Sequence, residues 1–301
     1  MFDGVINVYK EKGYTSHDVV AKMRGILKQK KIGHTGTLDP DAEGVLPVCL
    51  GKATKLCDML TDKTKTYQAT LLLGLETDTQ DTSGITRAEY EVLVSEEQAE
   101  AAIMSFVGDY AQIPPMYSAR KVNGKKLYEL ARAGQEIERE ATQVTVYSIR
   151  IDEIHLPRVK MTVCCSKGTY IRTLCYDIGR KLNCGGCMEY LLRTRVERFC
   201  LTDSLTLSQI EQKREAGELA AYILPVDQMF TDYPAVSVFA EYDGLVHNGN
   251  RVKVEQLNPE NQADLTPCIR VYDSAGMFIG IYEQEQEPSD YKPRKVFLGG
   301  Q

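Results

Sequence analysis

Reactive side chains are densest at residues 33–47, where His34, Asp39, Asp41 and Glu43 are interleaved with Gly33, Gly36, Gly44, Pro40 and Pro47. Carboxylates crowded into such a loop suit cation binding, phosphate binding beside the glycines, or acid–base and nucleophilic work on a sugar. Asp39, Asp41, Glu43 and Gly44 imitate the start of a calcium loop. The twelfth position from Asp39 is Leu50, however, where a bidentate carboxylate is required, and Pro40 resists the loop geometry. Gly44, Gly51 and Lys52 imitate a phosphate loop, but the spacing is too long and Ala53 stands where a hydroxyl must hold magnesium. A glycosidase-like carboxylate pair stays open, because spacing alone does not say whether adjacent acids converge.

The thiols suggest no metal. Nine cysteines are irregularly spaced, and Cys184 with Cys187 is the one pair at ligand-like spacing. No second Cys or His pair lies at a convincing distance, so buried free thiols are expected. The net charge of −6 is unlike an RNA-binding protein, yet the bases are clustered. Lys22, Arg24, Lys28, Lys30 and Lys31 form one run, Lys52, Lys55, Lys63 and Lys65 a second, and Arg120, Lys121, Lys125 and Lys126 a third. Such clusters can meet phosphates locally on an acidic protein, since charges are screened beyond about 10 Å.

The elements that must carry these residues are partly readable. Residues 4–9 read as a strand and 15–31 as a helix, with Thr15 and Asp18 at capping-box spacing and Val19, Val20, Met23, Ile26 and Leu27 on one face. The acidic loop follows that basic helix. Residues 66–75 are β-rich and end in a turn at 77–84. Ser95 and Gln98 cap a helix that Gly108 stops. Residues 112–143 fit neither a clean strand nor a long helix and read as a functional insertion. Strands are expected at 144–151 and 159–165, and a helix at 169–182. From about residue 233 short strand-like runs (236–238, 251–254, 268–272, 277–282 and 295–298) suggest a small β-barrel domain. The start of the sequence lacks a basic stretch followed by an apolar one, and no apolar run approaches membrane-spanning length, so a cytosolic, cytoplasmic protein is expected.

Taken together, the motifs resemble those of the TruB family of tRNA pseudouridine synthases. Residues 33–47 are similar to the family's G-H-x-G-x-L-D-P-x-A-x-G-x-L-P signature. Lys10 and residues 13–18 resemble its opening, Lys65, Thr66 and Tyr67 its K-x-Y element, and Gly74 with Thr77, Asp78, Thr79 and Asp81 its G-x-x-T-D-T-x-D turn. Pro114, Pro115, Met116, Tyr117, Ser118 and Ala119 begin what resembles an RNA-gripping insertion. Residues 166–174 and 191–196 match two further elements. Glu11, Cys187, Leu192 and Glu197 depart from the pattern, and none is a residue the chemistry requires.

The resemblance implies an α+β chain: a pseudouridine synthase catalytic domain at 1–232, with a mixed, largely antiparallel sheet flanked by helices, and a PUA-like β-barrel at 233–301. It implies isomerisation of the T-loop uridine of tRNA, conventionally position 55, with no cofactor, because no group is lost and no electrons are exchanged. Asp39 is then the nucleophile or the base that removes the 2′ hydrogen. Arg172 is its positive partner, and Tyr67 is a stacking face and a candidate base for the C5 proton. His34 fills the gap left by the flipped base. Tyr170 and Leu191 line the pocket, and Lys10, Lys55 and Arg193 make phosphate or structural contacts. Three competing readings are a tRNA-folding chaperone, the catalytic subunit of a guide-RNA particle, and a sugar hydrolase with a second carboxylate. A monomer with no obligatory protein partner is expected.

Overall fold

In the computed structural model, residues 1–61, 64–122, 124–258, 265–285 and 290–298 are described; Lys63 of the second basic cluster lies outside them. β1 (Gly4–Lys10) is buried on both faces and runs antiparallel to β3 (Glu43–Leu50) in a large sheet. Between them α1 (Ser16–Leu27) starts as the sequence predicts. The Thr15 hydroxyl accepts the Asp18 N–H, and the Asp18 carboxylate accepts the Thr15 N–H. Val19, Val20, Met23 and Leu27 pack onto the sheet. The helix ends four residues earlier than expected. Lys28 turns left-handed at φ 50°, and the Gln29 amide hydrogen-bonds both backbone groups of Phe2. That pull leads the chain into β2 (Ile32–His34), leaving Lys28, Lys30 and Lys31 exposed and off the helix.

β3 itself departs from the loop expected to run through Pro47. The Pro47 carbonyl accepts Thr35 N–H at 3.2 Å, on the β2 side. A strand residue's nitrogen and carbonyl face the same neighbour. The missing N–H therefore falls just past the last β2 pair, His34 with Val48, and costs the ladder nothing.

The catalytic region continues through α2 (Cys57–Thr61), β4 (Lys65–Leu73), the hairpin β5 (Leu75–Thr77) and β6 (Thr86–Glu89), α3 (Glu96–Met104) and β7 (Gly108–Gln112). The insertion holds a small hairpin, β8 (Lys121–Val122) with β9 (Lys125–Lys126), and the short α4 (Leu127–Arg132). Then come β10 (Thr142–His155), β11 (Arg158–Cys165), α5 (Ile171–Lys181), β12 (Gly186–Val196), β13 (Phe199–Cys200), α6 (Leu207–Glu215) and β14 (Ile223–Leu224). The strand order is β14-β1-β3-β12-β4-β11-β10-β7. All of these neighbours are antiparallel except β3 and β12, which run parallel with Leu192 beside Glu43 and Arg193 beside Gly44. Gly44 has φ 108°, and a Cβ there would lie 2.2 Å from the Arg193 carbonyl oxygen, so glycine is required at this seam.

Two cores cover the sheet. Leu71, Met161, Val163, Leu174 and Ile178 belong to one, and Ile6, Val8, Leu46, Met23 and Ile210 to the other. A second sheet is formed by β15 (Ala235–Ser237), β16 (Val252–Lys253), β17 (Cys268–Tyr272), β18 (Phe278–Gln284) and β19 (Asp290–Val296), in the order β15-β17-β18-β19-β16. It packs around Val246, Ile269 and Val271, in keeping with a PUA-like module. Ile281 of this sheet and Phe297, just past β19, share a third cluster with Val5, Val45 and Cys49 of the large one. The α+β architecture is therefore as the sequence implies. None of the nine cysteines is in a disulfide, and Cys57, Cys164, Cys200 and Cys268 are only partly buried: Cys164, Cys200 and Cys268 lie at or next to strand ends, and Cys57 opens α2. No helix among the described residues is long and apolar enough to cross a membrane.

Candidate active site

The loop joining β2 to β3 is pinned from below along most of its length. The Ser16 hydroxyl, at the start of α1, accepts Leu38 N–H at 2.9 Å and donates to the Leu38 carbonyl at 3.4 Å. Gly13 N–H donates to the Pro40 carbonyl at 2.9 Å. The Lys10 ammonium reaches the carbonyls of Tyr14, Glu11 and Pro40 at 2.6, 3.1 and 3.2 Å. Arg193, from β12, donates to the Val45 carbonyl at 2.7 Å and approaches those of Thr37 and Gly36 at 3.4 and 3.5 Å. With Leu38 and Ala42 buried on either side, Asp39 is held at the crest, its side chain 41% exposed.

Arg172 comes to meet it from the first turn of α5. Its Nε lies 2.9 Å from Asp39 Oδ2, and the guanidinium is 6% exposed. Its two other nitrogens donate to the Thr79 carbonyl at 2.9 Å and the Tyr117 carbonyl at 2.8 Å. The planar fork is thus fixed on three sides. The second carboxylate near this pair is Asp81, 3.8 Å from Arg172 Nε and bonded to the Thr79 and Ser83 hydroxyls. Asp41 is exposed, and Glu43 turns to the Tyr9 hydroxyl at 3.2 Å. The acids adjacent to Asp39 in sequence do not converge on it.

Asp39 and Arg172 stand on a ridge between two hollows. One, of about 670 Å³, is walled by Tyr67, Tyr170, Leu191 and Arg193. The other, of about 740 Å³, shares Asp39, Arg172 and Leu191 and extends past His17 to Lys126, Tyr128 and Arg132 of the insertion. Tyr67 lies on β4 opposite Arg193 of β12. Burial pushes its hydroxyl up from the ordinary phenol value, opposed by the guanidinium of Arg193. His34 lies beside the hollows and lines neither. Its Nδ1 accepts Gly36 N–H at 3.3 Å, which leaves the proton on Nε2, and its ring meets His17 edge-on at 5.3 Å. Burial, and then His17, hold it below the ordinary imidazole value.

Three basic candidates make contacts with the chain itself. Lys10 and Arg193 are 0% and 1% exposed and are turned onto carbonyls under the loop. Lys55 donates to the Val296 carbonyl at 2.8 Å, joining the region after β3 to the second sheet. The contacts observed for all three are of the structural kind. Ser16 and the carbonyls of Thr79 and Tyr117 hold Asp39 and Arg172 in place through contacts that residue types alone did not mark. The motifs at 13–18, 77–81 and 114–119 marked these segments in the sequence but not these contacts. Among the described residues no cluster of three or more His, Cys, Asp or Glu is arranged to hold a metal.

A carboxylate exposed on one side, locked to an arginine and flanked by an aromatic-walled cavity, suits attack at a sugar carbon beside a stacked base. The fold agrees with a class of RNA-modifying enzyme. It is similar to the crystal structure of a Cbf5-Nop10-Gar1 complex, with TM-score 0.73 and 26% identity over 98% of this chain and 85% of that chain. It is also similar to the structure of an H/ACA RNP bound to a substrate RNA containing 2′-deoxyuridine, with TM-score 0.71 and 25% identity over the same shares. Residues 24–171 match the model of the TruB family pseudouridylate synthase N-terminal domain, and 172–231 that of the tRNA pseudouridylate synthase B C-terminal domain. The chain belongs to the TruB family of pseudouridylate synthases, isomerases that act on RNA. The tRNA pseudouridine synthase B of Lachnoclostridium phytofermentans is 51% identical over 98% of this chain and 100% of that protein. That of Clostridium kluyveri is 46% identical over 93% and 94%.

Proposed function

We propose that the chain converts the uridine at position 55 in the T loop of tRNA to pseudouridine, with Asp39 as the catalytic carboxylate. The observation that carries this reading is the 2.9 Å pair of Asp39 with Arg172 at the mouth of a cavity walled by Tyr67, Tyr170 and Leu191. The target base leaves its stack at a cost of a few kcal/mol. The uracil enters the cavity against Tyr67, where stacking returns about 1–3 kcal/mol. Asp39 attacks C1′ or removes the 2′ hydrogen, and the N1–C1′ bond breaks. The uracil turns and C5 joins C1′ as the Asp39–C1′ bond breaks or as the 2′ hydrogen is returned; the C5 proton then leaves with Tyr67 as its acceptor directly or through water, and N1 gains a proton. The products balance without ATP or a redox cofactor. His34 supports the opened loop, while Lys10 and Arg193 keep the Asp39 loop in place.

In this reading residues 1–232 form the catalytic domain, 112–143 grip the RNA, and 233–301 form the PUA-like domain. The protein acts as a cytoplasmic monomer on the tRNA T arm. The test is pseudouridine formation in an unmodified tRNA transcript by the wild type and by Asp39→Asn. Product from the wild type alone, with both proteins still binding tRNA, supports the reading. No product from either, with tRNA still bound, overturns it.

A further inference from the structure

Gln112 is the last residue of β7, and it pairs with Thr142, the first of β10. The insertion leaves the sheet immediately after it. The Gln112 side chain is 1% exposed and does not line the Asp39 cavity. Both ends of its amide are committed to one distant residue. Its Oε1 accepts Tyr170 N–H at 2.7 Å, and its Nε2 donates to the Tyr170 carbonyl at 3.0 Å. A primary amide here takes the place of a neighbouring strand and fixes both peptides flanking the Tyr170 Cα. Nε2 also donates to the Tyr110 hydroxyl oxygen at 2.5 Å, and that hydroxyl donates to Asp177 of α5 at 3.3 Å. Three of the amide's four hydrogen-bonding capacities are thereby used.

Tyr170 begins the turn that carries Arg172, so what holds one constrains the other. The insertion touches that turn a second time through the Tyr117 carbonyl on Arg172. We infer that Gln112 is a positioning residue, setting the place of Tyr170 on the cavity wall and tying it to the root of the insertion. This rests on the reading of the cavity as the uridine site. Its chemistry is indirect: Gln112 touches no reacting atom. Its loss acts through the placement of Tyr170, where a displacement of about 1 Å costs up to 100-fold in rate.

The test uses the full chain and a tRNA transcript. Gln112→Leu keeps the bulk and removes all three hydrogen bonds. It is expected to slow single-turnover pseudouridine formation about 10- to 100-fold at saturating tRNA, with tRNA Kd within about two-fold. In a Tyr170→Ala background the same change is expected to add little, because the ring it places on the cavity wall is gone. A wild-type rate in Gln112→Leu, or a full multiplicative loss in the Tyr170→Ala background, overturns the inference. If Gln112→Leu does not fold, Gln112→Glu replaces it: it keeps the acceptor for Tyr170 N–H and should lose rate by a smaller factor, and an unchanged rate overturns the inference. Amide hydrogen exchange at Tyr170 gives a readout independent of activity. Faster exchange in the Gln112 variant supports the placement role even if the wild type makes no product, and unchanged exchange overturns it.

Discussion

Arg172 holds Asp39, the Thr79 carbonyl and the Tyr117 carbonyl with one rigid plane, a set of directions that an ammonium does not reproduce. Arg172→Lys should keep the charge near Asp39 and lose the two carbonyl anchors. Single-turnover rates should fall about 100-fold, with tRNA binding nearly unchanged. A rate within a few-fold of wild type would mean that charge alone suffices. Lys10 makes a different prediction. Burial lowers its ammonium from 10.5 to about 8, opposed by Asp39 and Glu43. Between those pH values the unfolded chain holds this proton and the folded chain does not, so Lys10's contribution to stability rises with pH. The neutral amine nonetheless has two N–H donors for three carbonyls and loosens the hold on Pro40. Activity should decline above about pH 8 without a matching fall in Tm from this group. Parallel pH–rate and pH–melting profiles check this, and a coincident decline of both would count against it.

At the scale of elements, the legible parts were those with a local signature. The α1 start was readable because Thr15 and Asp18 satisfy backbone donors within one turn, and the α3 start because Ser95 and Gln98 do the same. Asp39 was legible through its motif, and Arg172 through its own. What stayed hidden depends on partners far away in sequence. Pro47 made Glu43–Leu50 look like loop, yet its nitrogen falls where no ladder bond is owed. The end of α1 was set by Gln29 reaching Phe2, and the packing of Ser16 under Leu38 has no cue in spacing. The seam between β3 and β12 is the most demanding of these features. Gly44→Ala forces a side chain onto the Arg193 carbonyl at a left-handed φ. Urea unfolding should show a loss of about 3 kcal/mol. A loss under about 0.5 kcal/mol, as at an ordinary surface site, would show that the seam relaxes freely.

The whole molecule is bound by a shared core. Phe297, 2% exposed, stacks on Phe278 at 5.6 Å and leans on Phe230 at 6.1 Å, in the cluster that also holds Val5, Val45 and Cys49. The Lys55 bond to the Val296 carbonyl crosses the same boundary. Phe297→Ala should cost about 3–5 kcal/mol, and calorimetry of the wild type should give one transition rather than two. Separate melting of the two sheets would contradict this coupling.

The strand order has a consequence for the chain as it is made. β12 lies between β3 and β4, which precede it by more than a hundred residues. A ribosome therefore releases Asp39, Tyr67 and their strands as two halves with no edge to share. Arg172 and then Arg193 emerge last among the residues that complete the site. A nascent or truncated chain carries Asp39 without Arg172 beside it or Arg193 beneath its loop. The Asp39 site is therefore complete only once β12 has entered the gap between β3 and β4.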